Sequence, residues 1–463
     1  MQKPITRRRF IRNSTVAGTG LLILKSARSV WGAPANERLN MALVGVGGRG
    51  SWFVDSMPGF GTRFAALCDV REDRLAKVGE KFPEAKRFND FRRMLDEMRD
   101  KIDGVIVAAP DHIHAVASAK AMRLGKPVFC EKPLTRTIEE ARALRDLAAS
   151  TKLATQMGNQ GTSSDPLRRA VEIIQAGALG DIRDIIAWNE GGGGGRHPVP
   201  REAQPVPEGL HWDLYLGPRA ARPFNKEWLQ WHRWRDFATG QLGNWAVHTT
   251  NVAFKSFRLD ELWKSNLARA QFPKGRTIRV TAKVSEMVTD TFPKWEQIDF
   301  EAPPRAGLPA FKMTWGNRAP EVRERAETIL GRKLDWGDAG EKKWKDYAGI
   351  LISGSRGTMY STGHNMSFTM MPEAEFKELL GPPRKLPRSP GHEREWLNAI
   401  RGGEPACSNF VDYGSLQTEF LLLGNIATQI QGPIEYDPLA GRVTNNEAAN
   451  KLCRANYREG WVL

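Results

Sequence analysis

The chain has 463 residues, 41% of them apolar and 9% aromatic, which is ordinary globular composition at a length that one small core cannot organise, so two substantial domains are expected. Its formal charge is +15, yet seven basic residues and no acid lie in the first 35, and without them the balance falls to +8. The remaining Lys and Arg are interspersed with 53 acids, a solvated basic surface that argues against a nucleic-acid partner.

Residues 1–35 read as a twin-arginine (Tat) signal peptide. Arg7, Arg8 and Arg9 precede a short apolar run from Val16 to Leu24, and Ala33-Pro34-Ala35 supplies a small-residue cleavage site. The apolar run is about half the ~20 residues that a membrane span needs. This predicts passage through the Tat export machinery and a periplasmic or otherwise exported protein. The four cysteines, Cys68, Cys130, Cys407 and Cys453, have no CxxC spacing, so no disulfide framework is expected.

Residues 36–157 alternate strand-length apolar runs with helical patterns, which predicts a parallel sheet covered by helices. The strands are placed at 41–44, 64–68, 104–109, 127–130 and 153–157, and Thr137 with Glu140 has the pattern of a capping box. A helix is placed at 167–176, a strand at 182–188, and then the five glycines 191–195 force a loop. Segments 277–288, 297–316 and 350–360 are rich in β-formers, 319–345 reads as an irregular insert, and Leu-rich 416–430 as a helix packing back on one of the cores. The overall class is therefore α/β: an N-terminal domain with a parallel sheet over 36–157, then an α+β domain with a largely antiparallel open sheet over 158–463.

Gly45-Val46-Gly47-Gly48-Arg49-Gly50 follows the first strand and opens a helix. That is G-x-G-x-x-G in the context it requires, where the glycines allow a tight turn, backbone approach to a pyrophosphate and close helix packing. Asp69 ends the second strand, where a carboxylate accepts hydrogen bonds from the adenosine ribose hydroxyls and favours NAD over NADP. Arg71 beside it keeps NADP open.

Two further motifs lie at the carboxyl ends of strands: Ala108-Ala109-Pro110-Asp111-His112-Ile113-His114 and Cys130-Glu131-Lys132-Pro133-Leu134. With the glycine fingerprint, the Trp212–Pro218 segment, Gly240–His248 and the C-terminal Arg458-Glu459-Gly460-Trp461, the chain resembles the Gfo/Idh/MocA oxidoreductase family. The resemblance implies a Rossmann fold, a tightly held NAD, a carbohydrate-like substrate and a homodimer or homotetramer. It implies Lys132 as base or proton relay, Glu131 and Pro133 as walls of the nicotinamide pocket with the Lys-Pro bond cis, His114 as an approach to the nicotinamide, and His248 as a second catalytic group. Many relatives carry Asp four residues before that histidine, whereas this chain has Asn244, which can hydrogen-bond a sugar hydroxyl but can neither hold charge nor accept a proton.

Trp188, Glu190, Arg196, His197, Trp212 and Asp213 flank the glycine loop and are candidates for a substrate wall. His112 and His114 form H-x-H without a further ligand motif, so no metal site is expected. Three activities are compatible: an NAD(P)-dependent oxidoreductase acting on a sugar, polyol or related hydroxyl compound; a glycosidase or lyase that oxidises a sugar hydroxyl transiently and recycles NAD in place; and a non-catalytic NAD-binding protein.

Overall fold

The computed structural model describes residues 38–192, 195, 197–264, 277–305, 307–335, 346–377 and 381–463. The signal-peptide reading of 1–35 and the candidate Arg196 lie outside the described residues.

Strands β1 (Leu39–Val44), β2 (Thr62–Cys68), β3 (Lys86–Phe88), β4 (Gly104–Val107), β5 (Val128–Cys130) and β6 (Thr155–Met157) form one sheet in the order β3-β2-β1-β4-β5-β6, every pair parallel. Helices cover both faces, which is why β4 and β5 are continuous apolar runs, and β1 is one apart from Asn40, with almost every side chain buried. The reversal of strand order between β1 and β4 opens a crevice at their carboxyl ends, where such sheets bind ligands. Strand β3 and helix Phe91–Met98 escape the sequence reading. Two of the three β3 residues, Lys86 and Arg87, are exposed, so no apolar run marks it.

A second, nine-stranded sheet begins at β7 (Ile182–Asn189) and continues through β8 (Ile278–Val284), β9 (Glu296–Ala302), β10 (Phe311–Asn317), β11 (Ala348–Gly354), β12 (Thr358–Thr362), β13 (Phe368–Met371), β14 (Ile434–Asp437) and β15 (Arg442–Val443). Its order is β13-β12-β11-β7-β10-β9-β8-β14-β15, antiparallel except where β7 meets β10. The architecture is thus α/β, a Rossmann sheet followed by a mixed, mostly antiparallel one.

The segment expected to be an irregular insert contains a helix, Pro320–Leu330. Proline at its first position is pre-set for a helix, Gly331 closes it in the left-handed conformation, and Val322 with Ala326 buries one face beside Ile186, Trp188 and Leu351. The Leu-rich helix, Ser415–Ala427, is buried along its whole length. Its Thr418 hydroxyl accepts from the Leu134 amide, while Phe420 stacks on Phe300 of β9, so it lies between the two sheets.

Helix His392–Ile400 returns to the first sheet. Trp396 is fully buried, meets Phe129 edge-on at 5.7 Å and donates its indole N–H to the Ala154 carbonyl at 3.1 Å. A Cβ on Gly104 would come within 3.1 Å of that ring, so the strand residue and the indole fit only as a pair. Trp396→Ala should lower stability by about 3–5 kcal/mol, read as a fall in the midpoint of denaturant unfolding.

Candidate active site

The glycine loop leaves β1 at Gly45, whose φ of +86° suits glycine, and a Cβ there would meet the Ala108 carbonyl oxygen at 2.7 Å. Gly50 packs closer still, since its Cβ would lie 2.0 Å from the Gly45 carbonyl oxygen. Gly47, Gly48 and Arg49 line a cavity of about 700 Å³ that opens on the carboxyl ends of the parallel strands. Gly50 stands behind it as the packing residue. This is the cradle that a pyrophosphate needs: small residues on the loop and helix N–H groups behind them.

Asp69 lies at the same end of the cavity, buried, with one carboxylate oxygen accepting from the Val46 N–H at 3.0 Å and the other from the Arg71 N–H at 2.9 Å. Burial raises its pKa, and these N–H groups together with Arg74 oppose the rise. The carboxylate is thereby fixed in place with lone pairs left for ribose hydroxyls. The Arg71 guanidinium is taken by Asp73, at 3.0 and 2.8 Å. Arg74, which the sequence reading did not single out, lies against Gly47.

At the other end, the segment after β5 gathers the predicted chemistry. The Lys132–Pro133 peptide bond is cis. Lys132 directs Nζ to the side-chain oxygen of Asn244 at 2.6 Å and to its backbone carbonyl at 3.0 Å. Burial lowers its pKa, against the nearby charges of Glu131 and Asp111. Glu131 is buried and accepts from Arg49 Nε at 2.8 Å, and the Arg49 guanidinium lies 4.1 Å over the Trp52 ring.

Asn244 and His248 follow each other through a π-helical turn, Leu242–Ala246, and a short α-helical stretch, Val247–Thr249, where the spacing had suggested one regular helix. The Asn244 carbonyl that a regular helix would use internally accepts from Lys132 instead. His248 is buried and its Nδ1 has no hydrogen-bond partner among the described residues. Burial, then the charge of Lys132, holds its pKa well below the ordinary value, so the ring is neutral at pH 7.

His114 stands between the segments that follow β4 and β5. It lines the cavity, but its two ring nitrogens each lie 2.8 Å from a carbonyl oxygen, Nδ1 from Pro133 and Nε2 from Ala109. Only an imidazolium donates twice. Burial disfavours that form, yet Cys130 and Asp111 outweigh it and the pKa is pushed up to about 10. His114 therefore ties the segments after β4 and β5 together, Pro110 borders the cavity, and Pro133 stands behind it.

Trp212 and Asp213 do not line this cavity. Trp212 stacks on Tyr215 and donates to the Arg222 carbonyl, while Asp213 pairs with Arg458, so packing and an ion pair account for both. Trp188 and Glu190 are likewise committed, to the Asp346 carbonyl and to Arg323, and His197 borders another surface depression. The walls beside Lys132 are instead Trp231, His232, Trp245 and His364. His364 stands in the loop between β12 and β13 with its ring 4.6 Å from that of His248. Nothing in its sequence neighbourhood marks it, because only the pairing of distant strands brings it there.

Comparison with known proteins agrees with this geometry. A family description, "Oxidoreductase family, NAD-binding Rossmann fold", matches residues 39–159. Levoglucosan dehydrogenase of Pseudarthrobacter phenanthrenivorans is 28% identical over 155 residues, 32% of this chain and 39% of that protein. A glycosyl hydrolase family 109 protein of Saccharopolyspora erythraea is 27% identical over 271 residues, 47% of this chain and 57% of that one. The chain thus spans between about two fifths and three fifths of the curated relatives it matches. A solved levoglucosan dehydrogenase in complex with NADH and levoglucosan superposes with a TM-score of 0.53 at 17% identity, covering 86% of this chain and 99% of that one, a likeness of fold. Residues 39–159 thus carry the NAD-binding Rossmann domain of the Gfo/Idh/MocA oxidoreductase family.

Proposed function

We propose that the protein is an NAD-dependent oxidoreductase acting on a hydroxyl group of a sugar, polyol or related compound. One observation carries the reading: a single cavity runs from the glycine loop and Asp69 to the half-buried Lys132 and Asn244 and the buried His248. The glycine loop would hold the pyrophosphate and Asp69 the adenosine ribose of the dinucleotide, and its nicotinamide would supply the hydride acceptor or donor. The Asp69 carboxylate disfavours a 2′-phosphate and hence NADP.

Lys132 is the proton relay. With its pKa lowered by burial and its Nζ held by an amide instead of a carboxylate, the neutral amine that can take a hydroxyl proton is accessible at lower pH than for a free lysine. Asn244 orients that amine. Neutral His248, with Nδ1 uncommitted, hydrogen-bonds the substrate hydroxyl and positions it against Lys132. Trp231 and Trp245 offer the flat apolar faces that a pyranose ring stacks on.

A second reading is favoured by the family 109 glycosyl hydrolase, whose match reaches across 271 residues. On that reading the same relay removes and returns a proton around a transient oxidation and no net redox change results. The Arg7-Arg8 signal over 1–35 supports export in the folded state with the dinucleotide already loaded, a setting in which a recycled cofactor needs no external supply. Residues 36–157 would then serve the dinucleotide and 158–463 the substrate. Alternating exposure along β9 offers a face for pairing two or four copies.

The purified protein should release a nicotinamide dinucleotide on denaturation and, with NAD and a panel that includes levoglucosan, accumulate NADH. Aglycone release from aryl glycosides without net NADH would select the second reading, and a protein that binds no dinucleotide would overturn both. Lys132→Met should lower kcat on the order of 10²–10⁴-fold while NAD binding by calorimetry is retained. Asn244→Asp places a carboxylate beside Nζ, raises the Lys132 pKa and moves the acid limb of the kcat/KM–pH profile upward by about one pH unit; an unmoved limb would exclude Lys132 as the titrating base.

A further inference from the structure

A second cavity, of about 430 Å³, shares no lining residue with the first. Six basic side chains border it, Arg136, Arg219, Arg222, Arg235, Lys451 and Arg454, against two acids, Asp236 and Asp290. Its deep part is built from four arginines around one carboxylate. Arg219, 8% exposed, gives one terminal nitrogen to Asp236 at 2.7 Å and the other to the Asn456 carbonyl at 3.0 Å. Arg222 takes the second Asp236 oxygen and lies over the Trp228 ring at 4.7 Å. Burial alone would raise the Asp236 carboxyl, but Arg219 and Arg222 overcome it and pull it down to about 2, while its charge and that of Glu140 also reach Arg136.

The other two guanidinium groups have no carboxylate among their hydrogen-bond partners. Arg235, 9% exposed, donates only to neutral acceptors: the Thr291 carbonyl at 2.6 Å, Thr428 Oγ1 at 3.0 Å and the Asn425 carbonyl at 3.4 Å. Arg136 has one long side-chain contact, to the Arg235 carbonyl at 3.4 Å, and its buried Nε has no partner. The buried Nε of Arg219 has none either. Burial and then the charge of Arg219 lower the Arg136 pKa, and burial lowers that of Arg235 to about 10.

Burying cations side by side with unspent N–H groups costs stability unless an anion completes the set. The planar guanidinium fork matches an oxyanion with two or more oxygens. The volume exceeds what one tetrahedral ion fills, and Trp228, Trp234 and Phe292 supply apolar wall beside the charge. Lys451 and Arg454, both exposed, stand at the mouth, where they attract an anion toward the interior.

We infer that this cavity is a binding site for a phosphate or sulfate group, free or carried on a small organic molecule, separate from the dinucleotide site. Arg136 provides the least committed guanidinium, Arg219 and Arg235 the flanking charge, and Lys451 with Arg454 the entrance. Arg136 follows Lys132 by four residues, so one short segment has an end in each cavity.

The test is calorimetric titration of NAD-loaded protein with inorganic phosphate at ionic strength held constant by chloride. One saturable site per chain is expected. Arg136→Gln should weaken it at least tenfold, while Arg49→Ala, at the glycine loop, leaves the phosphate affinity unchanged. The exposed pair Lys451→Ala/Arg454→Ala should weaken it at least threefold without altering the melting temperature, which keeps the test decisive if Arg136→Gln does not fold. Parallel titrations with sulfate, glucose 6-phosphate and glucose separate the sources: tighter binding of the sugar phosphate than of phosphate assigns an organic ligand, and equal or weaker binding assigns the free oxyanion. No binding of any of the three anions, or equal binding by the wild type and both basic-residue variants, overturns the site.

Discussion

The arrangement turns on one buried ammonium. Lys132 leaves the end of a parallel strand and finds its partners, both atoms of a single residue, on a helix from the other half of the molecule. A charge taken out of water demands hydrogen bonds, and among the described residues this one has an amide oxygen and a backbone carbonyl as its acceptors. Such neutral partners keep the ammonium in place without stabilising its charge as a carboxylate would. The loop that carries it is fixed from behind by the His114 imidazolium and from the side by Glu131, which in turn engages the glycine loop through Arg49. The glycine loop, Glu131, Lys132 and Asn244 are therefore one hydrogen-bonded object drawn from both halves of the molecule.

Much of this was legible in the chain because it is local. The glycine fingerprint, Asp69 and the Glu131-Lys132-Pro133 segment each follow directly on a strand, and a strand's end fixes where its next residues go. The Thr137–Glu140 capping box forms as the pattern foretold, with Thr137 Oγ1 accepting from the Glu140 N–H and Glu140 from the Thr137 N–H. Other features were hidden for identifiable reasons. Strand β3 is short and half charged, and the helix 320–330 has only two buried positions, too few to raise a periodic signal.

The wall of the cavity beside Lys132 was the least legible part. Trp212 and Asp213 sit in a conspicuous motif, but its conspicuousness comes from an aromatic cluster with Tyr215 and Phe237 and from the pairing of Asp213 with Arg458. The residues that do face Lys132, among them His232 and His364, arrive from a loop and a hairpin whose positions depend on sheet pairing across more than a hundred residues. Composition and spacing carry no information about such meetings. Burial, once the fold is known, does.

The position of Trp396 has a consequence for how the chain is made. The parallel sheet is complete in sequence by Met157, yet the apolar surface formed by Met41, Phe53 and Phe129 is sealed by an indole that follows more than two hundred residues later. During vectorial synthesis the first half would therefore emerge with an open apolar floor, and would stay open until the far helix has left the ribosome. Maturation of the nucleotide-binding half would then wait for that helix, and a chain cut short before His392–Ile400 would present the floor to chaperones and proteases.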